Sequence, residues 1–148
     1  MPNKNPTDIL RKEHEKVLKI LDVLEKNLEE GNANQAKKSI ALLEKEFNKH
    51  SLNKEEKVLF LEIEKFIPRD GGPTGMMVIE HKDLTESIEN FKHIDNSQNL
   101  NEIGSHIIGL LREHINKEDN ILFMIADMHF NDEQKKRILA EFKKIDLK

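Results

Sequence analysis

Hydrophobic residues recur at three- and four-residue steps along almost the whole chain, and no useful length alternates with a period of two. The pattern therefore predicts helices and no sheet. Leu10, His14, Val17, Leu21 and Leu24 share one face of a first helix that starts at Asn5 and Pro6, has Asp8 near its positive end and runs to Gly31. A second helix, over 34–66, carries Ile40, Leu43, Phe47, Val58, Leu59, Ile63 and Phe66 and stops before Pro68. After the loop Ile67-Pro-Arg-Asp-Gly-Gly-Pro-Thr, Thr74 is expected to cap a third helix over 75–91, with Met77, His81, Leu84 and Ile88 inward. A fourth helix, over 100–128, places Ile107, Leu110, Leu111, His114, Ile121, Leu122 and Ile125 on one side. Asn131 with Gln134 forms a capping-box start for a last helix over 132–145, whose apolar residues are Ile138, Leu139, Phe142 and Ile145. Four long amphipathic helices with mostly short connections predict an all-α, up-down-up-down four-helix bundle, with the fifth helix packed across one end.

The 148 residues suit one domain, 1–148, with a sizeable core, and 36% hydrophobic against 35% charged residues favour a compact helical protein. Zero cysteines exclude disulfides, thiolate-held zinc, iron–sulfur clusters and cysteine nucleophiles, and suit a reducing compartment. The start of the chain is polar, with no hydrophobic signal core, and no apolar run is long enough to span a bilayer. The expectation is a soluble, cytoplasmic protein. A formal net charge of −4, with 24 basic residues scattered among 28 acidic ones, argues against nucleic acid as a partner. With no Tyr and no Trp, any metal chemistry must rest on the carboxylates and the seven histidines.

Those histidines fall in a pattern. The stretch from His114 through Glu118 to Leu122-Phe123 repeats an earlier one from His50 through Glu55 to Leu59-Phe60. His114 and Glu118 are four residues apart, about 40° on an α-helix, so both can reach one ion from the apolar stripe. A carboxylate beside an imidazole on a buried stripe costs several kcal/mol unless compensated, and a cation is the compensation that also needs those ligand types. Around the bundle, the first and third helices each offer an inward histidine, His14 and His81; the second and fourth each offer a histidine with a carboxylate. That set suits two divalent or trivalent ions bridged by two carboxylates and a solvent-derived oxygen, with iron the best match to imidazole and carboxylate without thiolate, and manganese or zinc also accommodated.

The stretches Lys-Glu-Glu-x-x-Leu-Phe (54–60), Gly-Gly-Pro-Thr-Gly-Met-Met-x-x-Glu-His (71–81) and Leu-Leu-Arg-Glu-His-Ile-x-Lys-Glu-Asp-Asn-x-Leu-Phe (110–123) resemble the hemerythrin-like HHE cation-binding domains. The resemblance covers nearly the whole chain, through about His129. It implies two iron ions with a bridging oxo or hydroxo group in the bundle core, with ligands His14, His50, Glu55, His81, His114 and Glu118. It further implies dioxygen or a similar diatomic or peroxide ligand as the partner, for carriage, storage or sensing. A redox enzyme acting on peroxide or nitric oxide, or an iron donor for iron–sulfur repair, is the second expectation; a metal-free helical interaction protein is the third.

Two departures from the family pattern carry expectations. His50 and Glu55 are five residues apart where the family has four, which on a straight α-helix would turn Lys54 toward the cations. The spacing predicts a π-bulge or local unwinding between them. On the third helix, Met77 and Thr85 flank His81 where the oxygen carriers have a second histidine, so a position is left open or is completed by Glu56 or Glu80. Asp119 is the alternative to Glu118. The ligand pocket is expected among Leu10, Val17, Phe47, Leu59, Leu111 and Leu122. His106 is expected to be structural, His93, in a polar loop, and His129, at a helix end, not to be ligands, and Met76, Met77, Met124 and Met128 to fill the core. No histidine has Glu three residues before it, so a ferritin-type centre is excluded, and no His-Glu-x-x-His signature or phosphate loop is present.

Overall fold

The computed structural model describes residues 5–148, and the polar residues 1–4, part of the segment read as lacking a signal core, lie outside that range. Helix α1 is Pro6–Glu29. The second rod, α2, runs unbroken over 33–63 but changes its hydrogen bonding: Ala33–Phe47 is α-helical, Asn48–Leu59 is π-helical and Phe60–Ile63 is α-helical again. Helix α3 is Pro73–His93. The fourth rod, α4, spans 97–129, with a π-helical stretch Glu118–Leu122 between Ser97–Lys117 and Phe123–His129. Helix α5 is Asp132–Asp146. No strand occurs among the described residues.

Local chemistry sets most of the ends. Gly31, at φ 69°, takes the left-handed conformation that turns the chain from α1 into α2, and Asn32 then accepts from the Gln35 N–H. Asn96 caps α4 through the N–H groups of Gln98 and Asn99. The capping box of Asn131 and Gln134 forms in full at the start of α5. Thr74 does not cap α3. Pro73 occupies the first helical position, where its missing N–H is harmless, so the cap falls to Gly72 and Thr74 is buried in the first turn. A side chain at Gly72 would run into the Pro68 carbonyl oxygen, which explains the glycine.

The four rods form a ring in chain order, each packed on the next and α4 closing on α1. Two apolar clusters fill it. One holds Leu21, Leu24, Ile40, Leu43, Phe91 and Ile107 toward the α1–α2 turn; the other holds Leu10, Phe60, Ile63, Phe123, Ile138 and Phe142 toward the opposite end. Along every rod, His14, His50, Glu55, His81, His114 and Glu118 lie between residues of the first cluster and residues of the second. The six are therefore a polar layer within an otherwise apolar core.

Two expectations fail here for one reason. Ile121, Met124 and Met128 are exposed, while Phe123 and Ala126 are buried, because the π-helical stretch Glu118–Leu122 rotates everything after it relative to a straight α-helix. Met76 is exposed as well, so of the four methionines expected in the core only Met77 is there. Helix α5 also differs from expectation: Ile138 and Phe142 insert beside Leu10, Leu59 and Phe60, laying it along the π-helical part of α2 rather than across the end of the bundle.

Candidate metal centre

The π-helical stretch of α2 closes the five-residue gap between His50 and Glu55. With i→i+5 hydrogen bonding, a residue five positions on returns to the same side, about one turn later. Glu55 accordingly lies inside with His50, its Oε2 3.1 Å from His50 Nε2, and Lys54 is turned away from the centre. Lys54 is completely buried at the outer side, paired with Glu13 and with Asp146 at 2.7 Å, its ammonium 5.7 Å from the Phe142 ring centroid. The expected bulge is present and extends over twelve residues.

The six side chains converge. His14, His50, Glu55 and Glu118 offer ligand atoms all within 4.8 Å of one another, and so do Glu55, His81, His114 and Glu118; both carboxylates belong to both groups. Nε2 of His14 is 3.0 Å from Glu118 Oε1, Nε2 of His81 is 3.1 Å from Glu55 Oε1, and the Nε2 atoms of His81 and His114 are 3.1 Å apart. Two ligand bonds of about 2.1 Å at a right angle put neighbouring donors about 3 Å apart, so these separations are those of adjacent ligands on one ion. Phe123 stacks on His14 at 5.4 Å and Phe60 on His81 at 5.8 Å, so the repeated Leu-Phe pairs hold one ring in each group.

Each imidazole is held from behind by an acid. Nδ1 of His50 donates to Glu13 at 2.8 Å, that of His81 to Glu56 at 2.6 Å, that of His114 to Glu80 at 2.7 Å and that of His14 to Asp119 at 2.8 Å. Such partners fix the tautomer that leaves Nε2 free as a ligand and orient the ring. The acids form a cycle: α1 supports α2, α2 supports α3, α3 supports α4, and α4 supports α1. Glu56, Glu80 and Asp119, which sequence offered as further or alternative ligands, lie on this outer side instead. The cycle itself was missed, although the chain carries a signal for it. The acid precedes the inward residue on α1 and α3 (Glu13-His14, Glu80-His81) and follows it on α2 and α4 (Glu55-Glu56, Glu118-Asp119). One residue is about 100° of α-helix, and antiparallel rods reverse its sense, so all four acids are offset the same way round the ring.

Protonation of the metal-free cluster follows from this crowding. Burial disfavours charge on His50 and His114, but Glu55 and Glu13 around the former, and Glu118 and Glu80 around the latter, outweigh it and lift both to about 10. His14 and His81 are raised in the same way, burial being overcome by Asp119 with Glu118 and by Glu55 with Glu56 respectively. Glu118 is pushed well below the usual carboxylate range; burial opposes this, and His114 and His14 prevail. Even so, Glu118 Oε2 has no hydrogen-bond partner among the described residues, and Glu55 Oε1, though close to His81, lies outside hydrogen-bond geometry. Unpaired buried carboxylate oxygens facing four inward ring nitrogens are unusual in a finished polar network, and cations are what that donor set fits.

A cavity of about 10 Å³, the size of one water-sized sphere, opens against His14, His50, His114 and Glu118. Val17, Phe47 and Leu111 line it as expected, together with Ile115 and Ser51. Leu10, Leu59 and Leu122 do not; they pack on the other side of the polar layer, in the second apolar cluster. His93 and His106 are exposed and paired with Glu89 and Asp83, and His129 stacks on Phe66, so none joins the centre.

A helical bundle with a buried layer of four histidines and two carboxylates defines a class, the helical proteins that bind cations within the bundle. Residues 5–126 match the model of the hemerythrin HHE cation-binding domain, and the chain belongs to that family. Comparison with curated proteins gave no match. Comparison with solved structures gave none either. No helix among the described residues is long and apolar enough to cross a membrane.

Proposed function

We propose that the chain is a non-haem di-iron protein that binds dioxygen for carriage, storage or sensing, with His14 and His50 holding one ion, His81 and His114 the other, and Glu55 and Glu118 bridging both. The observation that carries this reading is the inward aim of four Nε2 atoms at two shared carboxylates, each ring backed by its own acid. Two iron ions held there would supply open coordination positions and one-electron redox chemistry toward dioxygen or a related small ligand. The protein's part is to hold the rings in one tautomer, keep the layer between two apolar clusters and admit only a small molecule through Val17, Phe47 and Leu111. Excluding water in this way slows irreversible oxidation.

One feature favours a second reading. Neither residue flanking His81, where the oxygen carriers have a second histidine, is a ligand, Met77 being buried in the apolar core and Thr85 bonded to the His81 carbonyl, and each group draws on two histidines, so both ions would keep an open position. That symmetry suits a redox enzyme acting on peroxide or nitric oxide, or a protein that gives up iron for cluster repair. One experiment separates the readings: ferrous iron is loaded without air, metal per chain is measured, and the absorbance spectrum is followed on exposure to oxygen and again on its removal. A reversible charge-transfer band supports carriage or sensing, and steady consumption of added peroxide supports the enzyme. Absence of bound iron, with no thermal stabilisation on adding it, overturns both.

A further inference from the structure

The cavity beside the metal layer is lined by one hydroxyl, that of Ser51. Ser51 is 3% exposed, lines the cavity, and its hydroxyl makes no hydrogen bond to a side chain or backbone group among the described residues. A serine inside a helix ordinarily turns its hydroxyl back to the carbonyl four residues earlier, as Thr85 does to His81 at 2.8 Å. Ser51 lies in the π-helical stretch and does not do this with Phe47. Its neighbours across the cavity, Val17, Phe47, Leu111 and Ile115, offer neither donor nor acceptor side chains. The hydroxyl therefore stands at the cavity wall with its hydrogen-bonding capacity unspent on the protein, placed to bond whatever enters.

We propose that the Ser51 hydroxyl donates a hydrogen bond to the ligand in this cavity and selects small anions, or ligands that gain negative charge on binding, over apolar diatomics. The inference rests on the di-iron reading of the adjoining centre. The cavity touches both histidines of the His14–His50 group but only His114 of the other, so the donor serves the ion on the α1–α2 side. The π-helical register is what makes this possible, because it turns both His50 and the following residue inward. The same unwinding that brings Glu55 into place thus equips the pocket with a donor.

Azide, a three-atom anion with a vibrational band sensitive to hydrogen bonding, is the probe. Oxidised, iron-loaded wild type, Ser51→Ala and Ser51→Thr are titrated with azide by absorbance, and the azide stretch is recorded in light and heavy water. Ser51→Ala is expected to raise the azide Kd about tenfold, which is about 1.4 kcal/mol. It should also abolish the heavy-water shift of the stretch, while Ser51→Thr, which keeps the hydroxyl, retains both. Iron per chain and melting temperature should be equal in the three proteins. Equal Kd and equal isotope shift in Ser51→Ala with normal iron content would overturn the role of Ser51 and leave the di-iron reading standing. Wild type that takes up no iron would overturn both at once.

Discussion

Replacing Glu118 is the sharpest test of the metal reading, because both candidate groups draw on it and it is completely buried. A four-ligand structural ion is held by about 10–16 kcal/mol, or about 3 kcal/mol per ligand, so losing one ligand weakens one ion roughly a hundredfold. Since Glu118 would serve two ions, Glu118→Ala and the isosteric Glu118→Gln should lower the combined affinity by about four orders of magnitude. The metal-free protein suffers too. Removing the anion leaves the imidazoles of His14 at 3.0 Å and His114 at 3.5 Å without it, and breaking a buried charge pair costs about 3–5 kcal/mol. Glutamine keeps the volume, so the two effects separate: iron per chain after desalting reports the first, and melting of the metal-free protein reports the second. His93→Ala, an exposed residue paired with Glu89, should keep its iron. Full iron content in Glu118→Gln, equal to that of His93→Ala, would refute the ligand assignment.

Two further outcomes follow from the surroundings of the centre. Lys54→Met keeps the buried volume but frees Glu13 from its second partner, so the ion on His50 should weaken about 10- to 100-fold, whereas Lys49→Met, removing an exposed partner of Asp146, should not change affinity; equal affinities in dye-competition assays would break the link. In the metal-free protein, His50 and His114 are raised to about 10, so the stability they contribute is fully present below about pH 6.5 and is lost as pH rises toward 10. Loading must displace those protons, so the gain in melting temperature on adding metal should widen from about pH 6 to about pH 9 with protons released to a pH indicator. A gain that narrows over that range would contradict the protonation scheme.

Much of this was legible because the relevant signals are local. The helices followed from three- and four-residue periodicity, and the capping box at Asn131 from two residues three apart. The π-helical stretch of α2 was visible as a five-residue gap where the ligands need to share a face. Its counterpart at Glu118–Leu122 was not, because His114 and Glu118 already have the regular spacing and the register change begins only at Glu118. The repeat did contain it. In both copies a buried Glu is followed after four and five residues by buried Leu and Phe, and only i→i+5 winding puts a residue five on back on the same side. The cycle of acids was hidden for a different reason: each contact joins residues far apart in sequence, such as His14 and Asp119, so that Glu56, Glu80 and Asp119 read singly look like spare ligands and Glu13 like ordinary surface charge.

The division of ligands between the groups has a structural corollary. Each helical hairpin, α1 with α2 and α3 with α4, carries both histidines of one group and one carboxylate of its own, the two-histidine, one-carboxylate set used by single-iron oxygenases. Only the second carboxylate of each group is borrowed across the seam. Two of the four outer acids, Glu56 and Asp119, also reach across it, to His81 and His14. Cations seated here would staple two half-sites together, and stripping them would loosen the seam between the hairpins before it loosened either hairpin itself.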